Sequence, residues 1–177
     1  MDFDRLFSPE SIAVIGASRD PSKIGSVILK NLRITYRGKI FPINLNTDEI
    51  QGLKTYRKVS EVKEPIDLAV IAIPAEGVLP VLKECERKKI RFAIIISAGF
   101  KESGNVGMKL EEDVKKFIKT AKIRVIGPNS LGAINTSPAY NATFIDPNSK
   151  PMEGNTAFIS QSGALPGATL HFSYLQD

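Results

Sequence analysis

The sequence predicts a doubly wound α/β fold built on a mostly parallel sheet, and three observations lead there. Four short apolar runs each end in a small or turn-forming residue. Most are continuous rather than alternating, as strands buried on both faces require. Stretches with apolar residues at three- and four-residue spacing separate them, so the order is β-α-β and then β-α-β-α-β, joined by right-handed crossovers.

Taken in order, the first strand is Ser11–Ile15, ending at Gly16. The segment from Gly25 to Leu32 places Val27, Ile28 and Leu32 on one helical face. Lys39–Ile43 is a second strand, in which Pro42 removes a ladder donor and predicts a strand end or a bulge. Asp67–Ile73 forms a third strand before Pro74. Val78, Val81, Leu82 and Cys85 share a face of the next helix, whose Pro80 is tolerable in a first turn. Phe92–Ile96 is the fourth strand. A longer helix carries Leu110, Val114, Phe117, Ile118 and Ala121 inward, with Glu111–Lys115 and Glu112–Lys116 pairs on a solvated face. Ile123–Ile126 closes the sheet before Gly127.

After Ile134 the composition shifts. Residues 135–155, with Pro138, Pro147 and Pro151, read as a long connection. Asn155–Ile159 then predicts a strand, Ser160–Gly163 a turn and Ala164–Tyr174 a helix. One strand and one helix cannot bury a core alone. The expectation is therefore one domain over residues 1–150 and the start of a second α/β domain over 151–177.

The 177 residues include 24 basic and 19 acidic side chains, a net charge of +5 that could steer an anionic ligand. Aromatics are few and the basic residues alternate with acidic ones along the chain, which argues against nucleic acid. A single cysteine, Cys85, excludes an internal disulfide and suits a reducing compartment. Neither a signal-peptide pattern nor an apolar run of membrane-spanning length is present, so a soluble, cytoplasmic protein is expected, with no membrane partner. Asn141-Ala142-Thr143 matches a glycosylation acceptor that such a location would leave without meaning.

In an open parallel sheet, ligands bind at the carboxyl ends of the strands, where strand order reverses. Four loops meet there: Gly16-Ala-Ser-Arg-Asp-Pro-Ser-Lys-Ile-Gly25, Pro74-Ala-Glu76, Ser97-Ala-Gly-Phe100 and Gly127-Pro-Asn-Ser-Leu-Gly132. Small residues keep backbone N–H groups within reach, helix amino termini add partial positive charge, and Arg19 and Lys23 add full charges, a combination suited to a pyrophosphate. The plainer reading is that Gly16, Gly99 and Gly132 only permit tight turns; four such loops on one edge favour the ligand. The middle glycine of a dinucleotide fingerprint is missing between Gly16 and Gly25. The second strand ends Ile43-Asn44-Leu45-Asn46, without a carboxylate until Asp48. No Gly-Lys-Ser/Thr occurs either, so an NAD-dependent oxidoreductase and an ATP site on this loop are both weakened.

These motifs, with Phe158-Ile-Ser-Gln-Ser-Gly-Ala-Leu165, resemble the α portion of the NDP-forming acyl-CoA synthetases, a superfamily that includes ADP-forming acetate–CoA ligase and succinyl-CoA synthetase. The resemblance covers nearly the whole chain, in order. It implies a Rossmann-like CoA-binding domain followed by a flavodoxin-like one, with coenzyme A as the ligand. Gly16, Ala17, Ser18, Arg19, Lys23 and Gly25 would hold the CoA phosphates, beside Asn44 and Asn46. Ile73, Pro74, Ser97, Ala98 and Gly99 would line the nucleotide and pantetheine path, and Pro128, Asn129 and Ser130 the thiol end. Ser160, Gln161, Ser162 and Gly163 match the family's phosphate-binding turn. The family joins an acid such as acetate to CoA while splitting a nucleoside triphosphate to NDP and phosphate, through an acyl phosphate and a phosphohistidine.

Three departures qualify what is implied. Asn46 stands where the family usually has a lysine, leaving Lys39 or Lys54 to compensate, and Ser130 replaces a common cysteine. The only histidine, His171, matches no family active-site motif. The resemblance thus implies the CoA-binding portion of an acid–CoA ligase, with no catalytic residue of its own and no metal, inactive until a ligase or nucleotide-grasp domain or subunit completes it. A stand-alone, non-catalytic CoA-binding protein is the alternative.

Overall fold

A computed structural model describes residues 3–146 and 151–174. A one-turn helix α1 (Asp4–Phe7) leads into β1 (Ser11–Ile15), and α2 (Ile24–Thr35) crosses to β2 (Lys39–Ile43). A two-residue-strand hairpin, β3 (Glu49–Ile50) and β4 (Leu53–Lys54), precedes β5 (Leu68–Ile71). Then come α3 (Ala75–Arg87), β6 (Phe92–Ile95), α4 (Asn105–Thr120) and β7 (Arg124–Ile126). A second hairpin, β8 (Ile134–Thr136) and β9 (Ala139–Asn141), and a final helix α5 (Ala164–Tyr174) complete the order.

The five main strands are parallel and ordered β2-β1-β5-β6-β7. Register is set by burial on both faces. Ala13, Ile15, Ala69, Ile71, Ala93 and Ile95 point to the α3/α4 side, where they meet Val78, Leu82, Cys85 and Val114. Their neighbours Ile12, Val14, Leu68, Val70, Phe92 and Ile94 point to the other side, against Ile28, Leu29 and Leu32 of α2 and Tyr140 of β9. A one-residue slip would exchange the two cores, so pairing is strongly specified. The chain leaves β1 in one direction for β2, then returns past β1 to β5. The carboxyl ends of β1 and β5 therefore flank the point where winding reverses.

Several expectations change. Pro42 marks neither an end nor a bulge: β2 is the edge strand, and the Pro42 carbonyl faces away from β1 to accept the Tyr56 N–H at 3.0 Å. The N–H that proline lacks would lie on that same outer side, so no ladder bond with β1 is lost. Pro80 sits in the second turn of α3 rather than the first; it is exposed, so the carbonyl of Glu76 that it deprives of a partner faces the solvent side. Glu111 is buried, not solvated, and its carboxylate accepts the Lys101 N–H as well as pairing with Lys115 at 2.6 Å. Lys116 pairs with Asp113, not Glu112.

The stretch read as a long connection contains the β8–β9 hairpin, whose Tyr140 is fully buried and donates its hydroxyl to Leu6 O. Asn141 and Thr143 are buried too, which removes the acceptor site from the surface. The helix at Ala164–Tyr174 forms as expected, but Asn155–Ile159 joins no ladder among the described residues. Phe158 and Ile159 are exposed there; a strand needs a neighbour to take its backbone groups, and no described strand lies alongside.

Candidate binding site at the carboxyl edge of the sheet

Helices that follow parallel strands start at the strands' carboxyl edge, so α2, α3 and α4 all begin on one rim. None has a side-chain cap, and α2 has no acidic residue in its first turn. Their orphan N–H groups and partial positive charge converge there.

The loop after β1 is shaped by contact with its neighbours. Gly16 has φ +92°, and a Cβ there would overlap Ala72 O. Gly25, in the first turn of α2, lies so close that a Cβ would overlap Gly16 O. These two glycines let α2 start directly on the strand end, which serves both turn geometry and backbone access. Asn44 donates from Nδ2 to Ala17 O at 2.7 Å, tying the end of β2 to the loop. Its Oδ1 accepts the Asn46 N–H. Ser18 Oγ accepts the Asp20 N–H, and Asp20 accepts both the hydroxyl and the N–H of Ser22. Those two bonds from Ser22, hydroxyl first, hold the Asp20 carboxyl below its usual range.

The cations are arranged differently from the expectation. Arg19 donates from Nε to Glu49 O at 2.9 Å, reaching to the β3–β4 hairpin rather than standing over the loop. Lys23 is the N-cap residue of α2 and is exposed. Asp20 adds a carboxylate between them. Lys39 lies at the amino end of β2, four residues and roughly 13 Å from the rim, so it cannot replace the missing lysine. Lys54 lies 5.3 Å from the centre of the Tyr56 ring.

From β1 the rim continues through hydrogen bonds. Ser97 is buried, and its Oγ accepts the Ile73 N–H at 3.1 Å. Ser97 O accepts the Asn129 N–H at 3.0 Å, and Ile95 O accepts that of Ser130. Ser130 Oγ takes the Gly132 N–H. Ala98 and Pro74 are exposed between these ties. Asn129 has φ +52°, a conformation that asparagine tolerates better than most residues. Ser160 Oγ accepts the Ser162 N–H and donates to Ser162 O, closing a tight turn ahead of α5. A Cβ on Gly163 would stand 3.4 Å from Leu131 Cβ, so this turn abuts the loop after β7. Asn44, Ala17, Gly16, Ile73, Ser97, Gly99, Asn129 and Ser130 are thus one continuous rim.

Two contributors escaped the sequence reading. Glu102 Oε1 accepts the N–H groups of Gly99 at 2.7 Å and Phe100 at 3.2 Å, so the amide of Gly99, a residue expected to line the pantetheine path, is already engaged. The β3–β4 hairpin braces the first loop through Arg19 and through Gln51, whose Nε2 donates to Ser26 O. Its signal was present: Gln51 and Gly52, both with positive φ, form a two-residue turn between Ile50 and Leu53. His171 is exposed on α5, and no cluster of metal-binding side chains exists among the described residues. No described helix is long and apolar enough to cross a membrane.

A family model for a CoA binding domain matches residues 10–136. The chain is 42% identical over 174 residues to the II subunit alpha of an ADP-forming acetate–CoA ligase from Pyrococcus furiosus, covering 98% of this chain and 37% of that one. It is 47% identical over 167 residues to an ADP-forming acetate–CoA ligase from Methanocaldococcus jannaschii, covering 94% and 23%. In structure it resembles acetyl-coenzyme A synthetase 1 of Ca. Korarchaeum cryptofilum, solved with phosphate and ADP, with a TM-score of 0.90 and 46% identity over 99% of this chain and 37% of that one. The chain therefore spans well under half the length of these relatives.

Proposed function

The chain belongs to the CoA-binding domain family, and from that premise we propose that its rim holds coenzyme A as the CoA-binding portion of an ADP-forming acid–CoA ligase. The observation that carries the reading is that α2 and α3, both without a side-chain cap, start beside the point where the sheet reverses its winding, with α4 starting one strand further along the same edge and Gly16 and Gly25 opening the backbone beside α2. A diphosphate gains from this in two ways. Orphan N–H groups of the first α2 turn donate to its oxygens, and the aligned peptide dipoles offset its charge without a mobile counter-ion. Lys23, at the N-cap, adds a full positive charge beside the first turn of α2, while the Arg19 guanidinium is anchored through Nε to Glu49 O.

From the diphosphate, the pantetheine arm would run over Ile73 and Pro74 and past Ala98 toward Pro128, Asn129 and Ser130. The arm is an amide chain, and this stretch offers a mixed surface with small side chains. In the complete reaction a histidine would take the phosphoryl group from the nucleoside triphosphate, releasing the diphosphate, and pass it to the carboxylate of the acid; the CoA thiolate would then attack the acyl phosphate and release inorganic phosphate. The chain's part is to fix the thiol end. His171 is not assigned to the phosphoryl step, and Ser160–Gly163 with α5 would begin the module, from residue 151 onward, that presents phosphate. The acid substrate and the nucleotide-grasp partner are assigned to parts of the parent enzyme outside this chain.

Calorimetric titration with CoA, dephospho-CoA, NAD and ATP tests the reading. CoA should bind most tightly, and melting should rise as ligand is added; a ligand at ~100 times its dissociation constant stabilises by about 2.7 kcal/mol. Equal or tighter binding of NAD, or no binding of CoA, would overturn it.

A further inference from the structure

At the opposite, amino-terminal edge of the sheet lies a broad hollow of about 1260 Å³, lined by eight basic and three acidic side chains. The described residues hold 23 basic and 17 acidic side chains, so 15 basic and 14 acidic ones lie outside this lining and nearly balance. An excess of five positive charges is therefore gathered on this floor. Along the chain these residues are scattered; the fold brings them together.

Helix dipoles account for part of it. Lys88 and Lys89 follow the carboxyl end of α3, and Lys119 and Lys122 flank that of α4, where exposed carbonyls favour cations. Lys88 is further held by donating to Val62 O. Arg5 lies in the last turn of α1, but no helix end stands behind Lys39, Arg91 or Arg124. Lys39 and Arg124 are the first residues of β2 and β7, and Arg91 directly precedes β6. Among the acids, Asp67 is committed internally, to Arg5 at 2.7 Å and to the Glu10 N–H at 2.8 Å. Lys39, Lys89, Arg91 and Lys122 are exposed.

We propose that this floor docks an acidic polypeptide surface. A floor of long, flexible cations with Glu10 and Glu64 among them suits scattered carboxylates, each meeting its own ammonium or guanidinium. Phe92, the aromatic side chain among the described lining residues, is buried, and the exposed Phe3 ring packs against it 5.9 Å away, so binding of a stacked nucleic acid is made an outcome of the test. Docking here leaves the carboxyl-edge rim uncovered, so CoA binding and partner binding are compatible. The cations also raise the rate of encounter with an acidic partner, and salt screens both effects.

The test uses poly-L-glutamate as the acidic probe and single-stranded poly(U) as the comparison, with dissociation constants measured at low and high salt. Lys39→Glu, Lys89→Glu, Arg91→Glu and Lys122→Glu together reverse the floor. A control carrying Lys30→Glu, Arg33→Glu, Lys83→Glu and Lys109→Glu has the same net charge with the floor intact, all four being exposed elsewhere. Poly-L-glutamate affinity should fall at least about tenfold in the floor variant and change little in the control. Melting curves check folding, and Arg91→Glu with Lys122→Glu alone serves if the fourfold variant does not fold. Equal loss in both variants would mean that net charge alone acts, and would overturn the proposal. Tighter binding of poly(U), or no binding of poly-L-glutamate by the unmodified protein, would do so too.

Discussion

Replacing Glu102 by alanine removes one carboxylate oxygen that takes two backbone N–H groups at the turn after β6. Phe100 is fully buried, so its amide has restricted access to water once the acceptor goes, while Gly99 is half-buried. The carboxyl is held below the usual carboxylate range, first by its own backbone amide; burial opposes this, and the amides of Gly99 and Phe100 and the Lys101 charge lower it further. Charged hydrogen bonds contribute about 1.5–3 kcal/mol when shielded, but Glu102 is exposed, and solvent screening reduces the pair to about 1 kcal/mol. For a chain of this length, Tm should drop by roughly 2–4 °C at neutral pH. Glu102→Gln keeps an acceptor in place without the charge and should recover about half of the loss. The pH dependence has a definite sign. A carboxyl with a lowered folded pKa contributes stability above its ordinary value of 4.5 and loses it as pH falls through the folded value. The Tm gap between the unmodified protein and Glu102→Gln should therefore hold from pH 7 down to about 4.5 and close as pH falls below that. Differential scanning calorimetry across that range measures it. An alanine variant that melts with the unmodified protein, or a gap that widens in acid, would refute the idea that this carboxylate fixes the turn.

Other outcomes follow from single positions. Gly25→Ala should lower Tm and weaken CoA binding: overlap with Gly16 O costs about 1–3 kcal/mol, more than the ~1 kcal/mol that alanine gains in a helix. Gly77→Ala in α3, where a Cβ would stand 3.1 Å from the flexible Ile73 Cδ1, should be neutral or stabilising in the same melting assay. Asn46→Lys should tighten CoA about fivefold to thirtyfold in calorimetry, the effect of one charge-assisted bond to phosphate. Cys85 is fully buried, and burial first, then the nearby Glu84 carboxylate, pushes its thiol up to about 12. It should resist a disulfide reagent at pH 8 in the folded protein and react at once in denaturant.

How much of this molecule can be read from its residues depends on whether the information lies along the chain or across it. The strands were legible because a parallel sheet covered on both faces leaves runs such as Leu68–Ile71 and Phe92–Ile95 with no polar interruption. The rim was legible for a related reason. A strand's carboxyl end and the helix start that follows are consecutive in sequence, so each loop appears whole, as Gly16–Gly25 does. What the loop residues do was harder to read. Arg19 looked like a phosphate ligand, and only the fold shows the Glu49 carbonyl that holds it. Glu102 carries no signal in the sequence, because its partners lie two and three residues back, on a turn whose shape no periodicity encodes. Two-residue strands such as Glu49–Ile50 are too short for any alternation to register. The basic floor is the extreme case. Each strand contributes its first residue or the one before it, so Lys39, Arg91 and Arg124 are separated by whole βα units and look interspersed. Parallel winding stacks them side by side. A fold of this class hides charge clusters at the amino edge from sequence inspection by the same geometry that writes its ligand loops at the carboxyl edge in plain order.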